Sequence, residues 1–132
     1  MSIMVEISPG ELFDKITILE IKQEQIKDID KLKNINFECN KLQKSRDEVI
    51  NNIDWELLTN ILQLEKSLKE VNYELWKIED DIRSCESIRN FDETFIGLAR
   101  YVYFTNDKRS SIKRKINYLL GSSMIEEKSY KN

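Results

Sequence analysis

Asn106, Arg109 and Lys113 interrupt an otherwise apolar helical stripe built from Phe95, Ala99, Val102, Ile116 and Leu120. They recur at i, i+3 and i+7, so all three point the same way. A helix that only closed a bundle would carry Leu or Ile there. Two cations on a packing face need anionic partners, because an unpaired buried charge is very costly. A carboxylate from another helix can supply that partner, or an anionic ligand can. If the stripe is partly exposed, neither is required.

Other stripes offer material for one shared interior. An expected first helix carries Glu20, with Glu24 one turn further on, and an expected third helix aligns Asn72, Trp76, Glu79 and Arg83. Tyr103 is expected to line the same interior, and Arg100, like Arg83, to add to the grip on an anion. Trp76 suits either a core position or a stacking platform. Arginine grips phosphate or carboxylate bidentately, and an aromatic side chain stacks on a ring or sugar. The candidate ligand-binding residues are therefore Glu20, Trp76, Glu79, Arg83, Arg100, Tyr103, Asn106, Arg109 and Lys113. The same residues also suit a purely structural ion-pair network.

There is no histidine. His-based triads and most catalytic zinc sites are thereby excluded, and acid–base work would fall to carboxylates, Lys, Tyr or Cys. No cofactor is expected. The one alternative is Mg²⁺ on Glu79-Asp80-Asp81 together with Glu20 or Glu24, although acidic runs on helices are usually solvated faces. Lys108-Arg109 and Lys113-Arg114-Lys115 make one end of the last helix basic, where the helix dipole favours cations in any case.

The elements that position these residues are helices. The 132 residues include three Gly and one Pro, too few chain-breakers for a β fold rich in tight turns. Ser8-Pro9-Gly10-Glu11 is a helix start with a capping box. A first helix is expected over about 9–29, apolar nearly all round as far as Ile21 and so surrounded by neighbours. A second covers about 31–50, with weak breaks at Asp28-Ile29-Asp30 and Asn34-Ile35-Asn36 and a kink expected near Asn34. Asp54 caps a third helix over about 55–87. Its Leu57, Ile61, Leu64, Leu68, Val71, Leu75, Ile78, Ile82 and Cys85 alternate steps of four and three, a coiled-coil-like seam. That seam suits either the protein's other helices or a second copy, and a homodimer is expected. A fourth helix spans about 92–120 with Gly121 at its end, and 121–132 is a polar tail. The expectation is a single all-α domain, an antiparallel bundle of three to four long helices.

Composition narrows the functional classes. The chain has 21 basic and 24 acidic residues, a balance that argues against non-specific nucleic-acid binding. The start lacks the basic and apolar regions of a secretory signal, and no run is apolar for the ~20 residues of a membrane span. A cytoplasmic protein without membrane contact is expected, its Cys39 and Cys85 reduced and buried.

Several runs resemble the signature of an uncharacterised, domain-of-unknown-function family of small bacterial and phage proteins. They are Ile7 to Lys22 (ISPGELFDKITILEIK), Leu75 to Arg83 (LWKIEDDIR), Leu98 to Tyr103 (LARYVY), Asn106 to Arg109 (NDKR) and Glu126 to Tyr130 (EEKSY). The resemblance covers nearly the whole chain and brings no catalytic residues with it. It implies that the motif residues matter, and that Ser122 to Tyr130 docks onto something. Three functions compete: binding of a small anionic, phosphate- or nucleotide-like ligand, a coiled-coil adaptor, and a His-free helical enzyme. The enzyme would work by electrostatic fit in the manner of a mutase, or with Mg²⁺ like a pyrophosphohydrolase.

Overall fold

The computed structural model describes residues 1–124 and 126–129. Four helices follow one another: α1 (Pro9–Gln25), α2 (Ile29–Asn51), α3 (Trp55–Ser87) and α4 (Glu93–Leu119). Among the described residues there is no strand, and no helix is long and apolar enough to cross a membrane.

Side-chain caps set every helix start. The Ser8 hydroxyl accepts from Glu11 N at 3.2 Å, Asp28 from Asp30 N and Lys31 N, Asp54 from Leu57 N, and Asp92 from Thr94 N. Asp28 also corrects the expected boundary. The first helix stops at Gln25, and Ile26 turns to an extended backbone (ψ 133°), so that Asp28 starts the next helix at Ile29. Asn34 to Asn36 make no break. α2 runs through them because Ile35 and Cys39 anchor it on Leu19 of α1. At the far end Gly121 takes φ +67°, and Ser122 N returns to Asn117 O at 2.8 Å, closing α4.

α1 packs against all three other helices, while α3 and α4 form an antiparallel pair. Phe13, Ile61, Leu68 and Ile116, from α1, α3 and α4, are fully buried together. Burying each such side chain contributes about 1.5–3 kcal/mol. The smaller cluster of Leu19, Ile35 and Cys39 holds α2 to α1. The α3 seam faces inward: Ile61, Leu68, Val71, Ile78 and Cys85 are buried, and Leu57, Leu64, Leu75 and Ile82 half-buried. The protein's own helices cover it. Cys39 and Cys85 are both buried free thiols.

α1 and α4 come close together at Gly10. Its N–H donates to Asn117 Oδ1 at 2.7 Å, and a Cβ there would lie 2.6 Å from the Lys113 carbonyl oxygen. That oxygen belongs to the α4 backbone and cannot swing aside. Gly10→Ala is therefore expected to lower stability by about 1–3 kcal/mol, the usual cost of overpacking. A urea midpoint unchanged from wild type would show that the two helices have room to separate.

Candidate functional site

Asp14, in the middle of α1, is 1 % exposed. Its Oδ1 accepts from Arg109 Nε and from Asn72 Nδ2, each at 2.9 Å, and its Oδ2 accepts from Arg109 Nη2. Asn72 Nδ2 also donates to Thr17 Oγ1, whose hydroxyl donates back to the Asp14 carbonyl. One turn along α4, Lys113 Nζ lies 2.8 Å from Glu11 Oε2, 3.8 Å from Asp14 Oδ2 and 3.1 Å from Glu126 Oε2. Asn117, a further turn on, receives the Gly10 N–H. Helices α1, α3 and α4 and the tail thus meet in one polar hub.

The hub keeps its charges. Burial alone would push the Asp14 carboxyl up, but hydrogen bonds from Arg109 and Asn72 and the charges of Arg109 and Lys113 outweigh it. Asp14 therefore titrates below its ordinary range. The Asp14 hydrogen bond raises Arg109. Burial pulls Lys113 down, yet bonds to Glu11 and Glu126 and the Asp14 charge leave it raised.

Beside the hub, α1, α3 and α4 enclose a cleft of about 300 Å³. Ile18 and Ile21 form one wall, Leu75 and Val102 line its sides, and Asn72, Trp76, Glu79, Asn106 and Arg109 supply polar and aromatic groups. The Arg109 side chain, 30 % exposed, borders both hub and cleft. Asp14 takes its Nε and Nη2, and among the described residues Nη1 carries no hydrogen bond.

A family model described as a family of unknown function, DUF6165, matches residues 3–132. The chain belongs to this family. No curated protein and no solved structure matches it significantly. The matched span takes in all four helices of this DUF6165 member, and with them the hub and the cleft.

Of the residues singled out by spacing, Trp76, Glu79, Asn106 and Arg109 come together at the cleft. Lys113 lies one turn away, buried under its carboxylates. The others lie elsewhere. Glu20 is half-buried, where desolvation raises its pKa, among Lys69, Glu65, Arg46 and Glu24. Arg83 is exposed and pairs with Glu79 at 2.9 Å along α3. Arg100 is exposed over the Phe104 ring, and the exposed Tyr103 leans on the same ring at 4.6 Å. Asp80 and Asp81 are exposed on α3. Among the described residues no group of three or more His, Cys, Asp or Glu is placed to hold a metal ion.

The carboxylates that answer Arg109 and Lys113 are Asp14, Glu11 and Glu126, not Glu20, Glu24 or Glu79. Asp14 was hidden by its setting, a stretch where Phe13, Ile16 and Thr17 are all buried. A single acid inside so apolar a run was itself the available signal. Asn117 continues the spacing of Asn106, Arg109 and Lys113 by one more turn, which also marked it. In the described part of the tail Glu126 meets Lys113 and Glu127 meets Arg114 at 3.0 Å, while Ile125 and Tyr130 lie outside the described residues.

Asp14→Asn keeps the shape but leaves Arg109 and Lys113 short of a charge. The expected loss is about 3–5 kcal/mol, as when one partner of a buried pair is removed. Because the folded pKa of Asp14 is depressed, its contribution is complete above the ordinary carboxylate range and disappears as pH falls through the folded pKa. Urea midpoints measured from neutral to acid pH should fall less steeply in Asp14→Asn than in wild type. Parallel curves would show that Asp14 does not govern the acid limb.

Proposed function

We propose that this protein binds a small ring-bearing metabolite with one acidic group, phosphate- or nucleotide-like, in the cleft between α1, α3 and α4. The supporting observation is the convergence of Trp76, Asn106, Asn72 and Arg109 on one cleft beside a guanidinium already fixed by Asp14. Trp76 offers an aromatic face for the ring, and Ile18 and Ile21 an apolar wall. Arg109 Nη1 and the Asn106 amide read the acidic oxygens. Asp14 fixes the plane of the guanidinium, so little conformational freedom is lost when a ligand oxygen arrives.

Charge balance shapes the recognition. Asp14 offsets Arg109 and Glu11 offsets Lys113, so attraction comes from directed hydrogen bonds more than from a long-range field. Binding should therefore depend weakly on salt. A volume near 300 Å³ is at the small end of ligand sites and suits one ring with one acid group.

A second reading is favoured by the same ion pairs: a structural lock with no ligand, in a protein that works as an adaptor. Fluorescence separates the two. Trp55 is 80 % exposed on α3, far in sequence from the cleft residues, so Trp55→Phe leaves Trp76 as the one reporter of the two tryptophans. Nucleoside monophosphates, sugar phosphates and their dephosphorylated parents are titrated against that variant. Saturable change in Trp76 emission is expected for a phosphorylated compound, with about tenfold weaker binding in Asn106→Leu, equivalent to ~1.4 kcal/mol. The parent compound should bind more weakly still, by the ~1.5–3 kcal/mol of a charged hydrogen bond. Emission that never saturates with any compound would leave the structural lock as the reading.

A further inference from the structure

The first half of α4 turns an unusual face to solvent. Ile96, Tyr103 and Phe104 are each about half exposed there, and Glu93, Gly97 and Arg100 are exposed among them. Between Glu93 and Asn106, Arg100 is the sole further charge. The second half of α4 differs. Its face carries Asp107, Ser110, Ser111 and Arg114, and the tail lies alongside them through Glu126, Glu127 and Lys128. Exposed aromatic and aliphatic side chains around an arginine are the composition of an interface centre. The α3 seam is already covered within the chain, so it offers no such face.

Glu93 and Arg100 stand seven residues apart and so share one side of the helix. Among the described residues neither has an ion pair within the chain; the guanidinium of Arg100 instead sits 6.0 Å over the Phe104 ring. One acid and one base at this spacing complement themselves when two copies of the helix run antiparallel. Centred between Ile96 and Gly97, such a pair sets Arg100 against Glu93 of the partner subunit, and the reverse, by two-fold symmetry. Ile96 then rests over the partner's Gly97, where the space a Cβ would occupy has no atom within 4 Å. A parallel pairing would oppose like charges and is disfavoured.

We propose that the exposed face of α4 from Glu93 to Phe104 binds a second copy of this chain, antiparallel and two-fold related, with reciprocal Arg100–Glu93 pairs. The partner is a copy because the charge pattern matches itself. Sedimentation equilibrium tests it on the full chain. Wild type should weigh twice the 15.7 kDa of the chain. Arg100→Glu and Glu93→Arg should each shift the mass toward the monomer, and the double exchange should restore the dimer. Asp107→Lys, outside the face, should leave the dimer intact. Circular dichroism should show wild-type helicity for Arg100→Glu, whose side chain is exposed, so its result stands even if Glu93→Arg weakens the start of α4. A wild type that stays monomeric overturns the proposal, and so does a dimer indifferent to both single exchanges.

Discussion

A carboxylate withdrawn from water in the middle of a helix stays ionised only if donors reach it from other elements. Asp14 is that carboxylate, and its donors come from Asn72 on α3 and Arg109 on α4. The apolar contacts of Phe13 with Ile61, Leu68 and Ile116 would tolerate small slides between helices. The hydrogen bonds do not, because each has one distance and one direction. Hydrophobic burial supplies the larger stabilisation, and the hub selects one register among the arrangements that burial alone would permit. Gly10 fits this scheme, since bringing Asn117 and the Lys113 carbonyl onto α1 requires a residue without a side chain.

The hub explains why the cleft beside it is polar yet nearly neutral. Arg109 spends its charge on Asp14 and still lines the opening. Lys113 is wrapped by Glu11, Asp14 and Glu126, so its charge is spent inside the protein. The tail belongs to this arrangement. Through Glu126 and Glu127 it pairs with Lys113 and Arg114, while the first half of α4, which carries Glu93 and Arg100, stays open.

Legibility followed the range of the interactions. Helix starts depend on residues within one turn, and the caps at Ser8 and Asp54 were readable from neighbours alone. The α3 seam was readable because its period is a property of one helix. What covers the seam is a tertiary matter, and α1 and α4 do so. The break after α1 was blurred because Asp28 and Asp30 both resemble caps, while Asn34 and Asn36 look like breakers until Ile35 and Cys39 meet Leu19. For the site, periodicity gave the direction in which Arg109 and Lys113 point, but not the residue at the other end. Helix wheels fix faces and leave the relative height of two helices open. Asp14 and Glu20 both lie on α1, and only packing decides that Arg109 meets the former.

The hub also joins residues made at very different times. Asp14 precedes Arg109 by 95 positions and Gly10 precedes Asn117 by 107. At a synthesis rate of about 5–20 residues per second, α1 leaves the ribosome on the order of 5–20 s before its α4 partners exist. During that interval α2 can shelter the Leu19 side of α1, and α3, once made, can cover Phe13 and bring Asn72 to Asp14. The side of Asp14 that Arg109 and Lys113 will meet is the part that waits for α4. Until then the Asp14 carboxylate has no cation to answer it, so the last helix to be made supplies the charges that close the bundle.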